Sequence, residues 1–183
     1  GLAKNEAIER ALRVKNVRTD SGVAPITVLT KPYPCPGNCV YCPTEYRMPK
    51  SYISSEPAAA RALSLEFDPY EQVKQRVRAL ERNGHTANKI ELIIKGGTWS
   101  AYPKDYREWF ITRCFEAANE LTPPILPLSR EVQSNSSSMI REGSGVDLAQ
   151  QINETSPYRI IGLTIETRPD HITIEEIIHL REL

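Results

Sequence analysis

Residues Ile26–Cys42 read ITVLTKPYPCPGNCVYC. Ile26–Leu29 form the apolar, β-branched kind of run that makes a buried strand. The next stretch suits neither strand nor helix. Lys31–Pro49 holds five prolines, each fixing its own φ and removing a backbone donor, so the segment reads as a stiff, irregular loop. Cys35, Cys39 and Cys42 are set into that loop, and Gly37-Asn38 is a turn signal that lets their sulfurs converge. Thiolates at this density are ligands for soft metal centres. Three of them can hold three irons of a [4Fe–4S] cluster and leave the fourth iron open to a small molecule. The alternative is a zinc site, which ordinarily takes four nitrogen or sulfur ligands. His85 or Cys114 would then have to be imported, because nothing nearby in sequence supplies the fourth.

Working outward, the chain alternates strands with helices. Asp68 is placed to cap a helix, with Pro69 at its first position and Glu71 completing a capping pattern. Tyr70, Val73, Val77 and Leu80 follow at helical spacing, and Gly84 ends the run. Ile90–Ile94 reads as a second strand, closed by Gly96-Gly97-Thr98. Pro103 opens another helix, whose apolar face is Tyr106, Phe110, Cys114, Ala117 and Leu121. Leu121–Gly145 is rich in proline and serine and reads as a long loop. A weak helix over Asp147–Glu154 precedes a third strand, Arg159–Ile165, and Thr173 with Glu176 opens a last helix. Strand–helix alternation of this kind predicts an α/β fold with a parallel sheet. In such sheets ligands gather at the carboxyl ends of the strands. The cysteine loop, Gly96-Gly97-Thr98 and the charged group Glu166, Arg168 and Asp170 each leave the carboxyl end of a strand, so all three should meet at one edge.

Bulk properties bound the reading without choosing it. The 183 residues are 40% hydrophobic and 25% charged, enough for one domain with a real core. Basic and acidic residues balance at 23 each, so only a local patch could signal nucleic acid. No apolar run approaches the ~20 residues that span a membrane. The first residues interleave apolar side chains with charges, unlike a secretory signal. Clustered cysteines in such a chain point to metal in a reducing compartment, and the cytoplasm is the expected location. Gly1 stands where an initiator Met would, and Thr173–Leu183 reads as a helix still running at the last residue, so the sequence reads as a fragment.

Each candidate has a plain reading beside the functional one. Gly96 and Gly97 form a tight turn, or they let a ligand approach the backbone closely. Tyr41, between two of the cysteines, either packs in its loop, shields a cluster or stacks on a purine. Glu166, Arg168 and Asp170 form a solvated loop, or they bind ribose hydroxyls or a carboxylate. Cys114, on an apolar helix face, reads as core. Trp99 and Trp109 read as packing. Residues 4–15 read as a short amphipathic helix, and its cations Arg10, Arg13 and Lys15, with Arg18 beyond, form either a solvated face or a contact for phosphates.

Together these residues resemble a radical S-adenosylmethionine (SAM) enzyme. Within that superfamily the chain closely resembles the catalytic subunit of Elongator and its single-chain prokaryotic relatives, which modify wobble uridine in tRNA. The resemblance is carried by residues 17–23 (VRTDSGV), the cysteine loop, Ser51-Tyr52, Glu56-Pro57 with Arg61-Ala62, residues 68–72 (DPYEQ), Gly84-His85, Gly96-Gly97-Thr98 and, most specifically, residues 162–170 (GLTIETRPD). It implies a partial TIM-like barrel of which residues 21–183 are about the first three βα units, preceded by a basic extension over residues 1–20. It implies that Cys35, Cys39 and Cys42 hold a [4Fe–4S] cluster whose open iron chelates SAM. Gly96, Gly97 and Thr98 match the motif that meets the methionine amino group, Tyr41 the position against adenine, and Glu166 a ribose contact. The implied reaction is reductive cleavage of SAM to a 5′-deoxyadenosyl radical, which activates acetyl-CoA for addition to uridine. That makes the whole enzyme an acyltransferase with tRNA, acetyl-CoA and a one-electron donor as partners. Two departures stand out. Many members of this branch space the first two cysteines further apart, and Lys95 occupies a position where an apolar residue is expected. The acetyltransferase-like domain of the family has no counterpart in this sequence. Two other readings stay open: a radical SAM enzyme acting on a non-RNA substrate, and a zinc-stabilised binding module without catalysis.

Overall fold

Three strands lie side by side in chain order: β1 (Ala24–Leu29), β2 (Lys89–Lys95) and β3 (Arg159–Ile165). Both pairings are parallel, as the strand–helix alternation predicts. The computed structural model describes residues 7, 8, 11, 13, 19–121 and 145–183. Most of the expected N-terminal helix, including Arg10, Lys15 and Arg18, and nearly all of the Leu121–Gly145 segment lie outside the described residues.

Register puts one apolar face together. Ile26 pairs with Leu92 and Val28 with Ile94, and Leu92 in turn pairs with Leu163. An irregularity at Ile90/Glu91 leaves Ile161 without a partner, since Ile90 pairs with Ile160 and Glu91 with Gly162. Ile161 is half exposed as a result, while Leu163 and Ile165 keep their place against the core. Alternate residues Thr27, Glu91, Ile93 and Lys95 fall on the opposite face and stay partly exposed.

Helices α1 (Pro57–Ser64) and α2 (Pro69–Arg82) connect β1 to β2. Helices α3 (Lys104–Glu120) and α4 (Gly145–Asn153) lie between β2 and β3, and α5 (Ile174–Glu182) follows β3. Val73, Val77 and Leu80 of α2 and Phe110, Ile111 and Cys114 of α3 share one core with Ile26, Val28, Leu92 and Ile94. Capping sets the helix starts. The Asp68 carboxylate accepts from the Glu71 N–H at 2.9 Å, and Thr173 Oγ1 accepts from the Glu176 N–H at 3.1 Å. Asn83 closes α2 before Gly84, whose φ is +77°.

Two features depart from the sequence reading. Pro103 is the extended residue before α3, at φ −54° and ψ 144°, and the helix begins at Lys104. Helix α1 has no counterpart in that reading. Its eight residues are too few for a periodic pattern to register, and its apolar content is mostly alanine. Those alanines serve its packing: the small side chains of Ala59 and Ala62 let α1 lie directly on Leu29, Met48 and Phe67 in a second small core.

Candidate functional site

The cysteine loop leaves the carboxyl end of β1, and that end is held firmly. The Gln72 amide, from α2, accepts from the Leu29 N–H at 2.8 Å and donates to the Leu29 carbonyl at 2.9 Å. Just beyond, the Thr30 N–H donates to the Lys95 carbonyl at 2.9 Å. The Tyr102 hydroxyl sits between the two strand ends, 2.8 Å from Thr30 Oγ1, and donates to the Lys31 carbonyl at 2.7 Å. Burial pushes this phenol up to about 12, so it remains a donor at neutral pH. Tyr33 packs on Tyr102 with ring centroids 4.8 Å apart, which ties the first turn of the loop to the same anchor.

Each of the three thiols has a polar partner. Cys35 Sγ lies 3.4 Å from Thr98 Oγ1 and accepts from the Gly37 N–H at 3.4 Å. Arg168 Nη1 donates to Cys39 Sγ at 3.4 Å. Cys42 Sγ lies 3.0 Å from Ser51 Oγ, and Ser51 holds a φ of +79° that a serine adopts only under constraint. Burial raises the Cys35 thiol, but the Thr98 hydroxyl, the Gly37 N–H and the Arg168 and Lys50 charges outweigh it and bring it below the usual thiol value. All three cysteines are partly exposed. At Cys35 these partners and cations favour the thiolate, the form that binds metal. Among the described residues no three His, Cys, Asp or Glu side chains gather closely enough to hold a single ion. Iron–sulfur clusters take thiolate ligands, and Cys35, Cys39 and Cys42 supply that donor type.

The edge of β2 contributes backbone. Gly96 and Gly97 have φ of +144° and +94°, conformations natural to glycine. A Cβ on Gly96 would collide with Thr30 Oγ1, and one on Gly97 would stand 3.2 Å from the Lys50 carbonyl oxygen. The two residues that flank the cysteine loop, Thr30 and Lys50, therefore stand against this glycine pair.

The edge of β3 closes the group. The Trp99 N–H donates to the Glu166 carbonyl at 3.1 Å, and Ser100 Oγ lies 2.8 Å from Thr167 Oγ1. The Glu166 carboxylate accepts from the Tyr52 hydroxyl and, at 3.3 Å, from the Gly96 N–H, both through Oε2. Burial first, and then this carboxylate, drives the Tyr52 hydroxyl far above the usual phenol value. Arg168 reaches Asp170 through two hydrogen bonds of 2.9 and 2.6 Å, which hold Asp170 below the usual carboxylate range. Its guanidinium lies over Gly37, where an added Cβ would collide with Nη1.

Cys35, Cys39, Cys42, Gly96, Gly97, Thr98, Glu166 and Arg168 are thus brought to one edge. Tyr41 is on the same loop with its side chain 86% exposed. Arg13 is described, and no hydrogen bond or ion pair ties it to this edge among the described residues. Cys114 is fully buried in the core, and burial raises its thiol far above the usual value; it is not a fourth ligand. His85 follows α2, buried beside Thr19 Oγ1 at 3.2 Å. Trp99 is core, and Trp109 packs on Tyr106 and Phe110. Tyr52 and Gln72 fall in stretches that carry the resemblance, but their contacts, like those of Tyr102, are not legible in sequence because the partners lie far away in the chain.

A parallel sheet flanked by helices, with thiols, a glycine pair and a carboxylate gathered at its carboxyl edge, makes this an α/β protein. No protein-family profile matches the chain. Relatives are clear. The chain is 42% identical over 178 residues to the tRNA uridine(34) acetyltransferase of Methanocaldococcus infernus, covering 94% of this chain and 30% of that protein. It is 39% identical to Elongator complex protein 3 of Schizosaccharomyces pombe, covering 91% and 29%. The solved structure of Methanocaldococcus infernus Elp3 with an N-terminal deletion superposes with a TM-score of 0.57 at 34% identity, covering 87% of this chain and 26% of that one. The chain is therefore a homologue of the Elongator complex protein 3 and tRNA uridine(34) acetyltransferase proteins. It spans about 30% of the length of the curated relatives it matches.

Proposed function

We propose that this chain is the cysteine-bearing portion of a radical SAM enzyme that modifies the wobble uridine of tRNA, with acetyl-CoA as co-substrate, in the cytoplasm. The observation that supports it most is the meeting of the cysteine loop with Gly96-Gly97-Thr98, through the 3.4 Å contact of Cys35 with Thr98. Strands in sequential order, with one face in the core and the other partly exposed, support a partial TIM-like barrel of which residues 21–183 form the first three βα units. Residues 1–20 are a basic extension, and Arg10, Arg13, Lys15 and Arg18 would contact RNA.

In this reading Cys35, Cys39 and Cys42 hold a [4Fe–4S] cluster and leave one iron for the amino and carboxylate groups of SAM. When bound, such a cluster would supply the electron for reductive cleavage of SAM, the radical chemistry that would activate acetyl-CoA towards uridine. The chain's own residues do the positioning. Thr98 and the Gly37 N–H fix Cys35, Arg168 fixes Cys39, and Ser51 fixes Cys42. Gly96 and Gly97 let the methionine end approach the backbone. Glu166 is oriented through Oε2, which leaves Oε1 for a ribose hydroxyl, and the exposed Tyr41 ring can lie against adenine.

The test is anaerobic reconstitution with iron and sulfide. Roughly four irons per chain are expected, with an electron paramagnetic resonance signal that changes when SAM is added. A Cys39→Ala chain that kept the same cluster and the same response to SAM would overturn the reading, as would one zinc and no sulfide.

A further inference from the structure

The chain has no net charge, with 23 basic and 23 acidic residues, yet its cations are unevenly placed. A cleft of about 450 Å³ lies between α1 and α2, beside β1. Arg61, Lys74, Arg76, Arg78 and Arg82 line it, against the single carboxylate of Glu71. That carboxylate is 3.5 Å from Lys74 Nζ, in a pair whose side chains are 27% and 42% exposed. Exposed pairs of this kind contribute only about 0–1 kcal/mol and exchange partners readily.

The arrangement of the cations selects the ligand. Lys74, Arg78 and Arg82 recur every four residues along α2, which at the helical rise sets one cation about every 6 Å along the wall. A single small anion is best met by cations that converge on a point. A row suits a ligand with charges repeated along its length. Guanidinium forks match phosphate and carboxylate oxygens alike in pairs, so the preference for a phosphodiester comes from the row of cations together with the RNA-modifying reading. Gln72 lines the same cleft and clamps Leu29, the last residue of the strand that delivers the cysteine loop.

We infer that the α1–α2 cleft is a seat for an RNA phosphodiester backbone, with Arg78 and Arg82 as its principal contacts. This rests on the RNA-modifying reading above and assigns it a surface, separate from the basic N-terminal extension.

The test is binding of a fluorescent tRNA transcript to the chain across about 50 to 200 mM salt. An Arg78→Glu/Arg82→Glu variant should bind roughly tenfold or more weakly, and its salt slope should shrink by about one to two. A Lys89→Glu/Arg159→Glu variant carries the same charge change at the opposite ends of β2 and β3, and should lose much less. Circular dichroism checks that each fold is kept, and an Arg78→Gln/Arg82→Gln variant repeats the test with milder changes. Equal losses in the cleft and control variants would overturn the cleft assignment while leaving RNA binding in place elsewhere. No tRNA binding by the unaltered chain at low salt would overturn the RNA reading as well. Displacement by inorganic phosphate beyond the effect of chloride at matched ionic strength would reassign the cleft to a single phosphate group. Displacement by poly-glutamate at an equal charge concentration would reassign it to an acidic protein.

Discussion

Gly37 and Gly96 are both glycines that a side chain would crowd, but for different reasons. At Gly37 the obstacle is the end of a flexible arginine side chain. Gly37→Ala should therefore leave the stability of the metal-free chain within about 1 kcal/mol, because Arg168 can swing away. The cost should appear in the cysteine loop, as a lower iron content after reconstitution and gel filtration. Arg168→Gln should reproduce that loss, with Arg168→Lys in between, since lysine keeps the charge but not the two-pronged hold on Asp170. Unchanged iron content in both Gly37→Ala and Arg168→Gln would show that the Arg168–Cys39 contact does nothing for the site. At Gly96 the obstacle is Thr30, anchored by Tyr102, and the φ of +144° is itself hostile to alanine. Gly96→Ala should cost about 1–3 kcal/mol in denaturant titration of the metal-free chain. The cysteines and glycines could be read from sequence because their chemistry is local. Arg168 could not be assigned to Cys39, since a loop arginine offers no local sign of a partner 129 positions away.

At the scale of elements, two contacts carry more than their surroundings. Gln72→Met would strip both hydrogen bonds from the Leu29 backbone at the root of the cysteine loop. A loss of about 2 kcal/mol is expected, read as a lower denaturant midpoint at an unchanged slope. Arg107 of α3 and Glu176 of α5 form a 2.6 Å ion pair whose side chains are only 3% and 10% exposed. Glu176→Gln leaves the guanidinium charge buried without its counterion, and should cost about 3 kcal/mol. A negligible change there would mean that α5 is not fastened to α3 through this pair. The strands and longer helices are legible in sequence because each has a periodic apolar face and a cap. Helix α1 is not, for alanine is neutral in any periodicity and eight residues give barely two turns. The start of α3 is displaced by one residue because proline is acceptable both as a first helical residue and just before one.

For the whole molecule, stability should hold between about pH 6.5 and 10 and fall on either side. On the acid side, His179 is held below its ordinary value of 6.5, by burial first and then by the charges of Arg107 and Lys104. The unfolded chain then takes up the proton more readily, so this contribution is whole above about pH 6.5 and is lost as the pH drops below it. On the alkaline side, burial raises Tyr52, Tyr102, Tyr106 and Tyr158 above the ordinary value of 10. The folded chain keeps those protons longer, so their contribution is whole below about pH 10 and is lost as the pH rises towards about 12 and beyond. Denaturant midpoints measured across this range should trace the plateau, and the full tyrosinate absorbance of the eight tyrosines should be reached only with alkaline unfolding. Complete ionisation of all eight near the ordinary phenol value in a chain still fully folded would contradict it. The parallel sheet is legible from the strand–helix alternation, but these titrations are not, because burial of a tyrosine is set by elements that meet only in the folded chain. The link between Cys39 and Arg168 bears on how the molecule is made. At a synthesis rate of about 5–20 residues per second, the 129-residue separation delays the arginine by roughly 6 to 26 seconds after the cysteine has left the ribosome. During that interval Cys39 is present without the arginine that donates to it, so under the proposed function cluster loading would be completed late in translation.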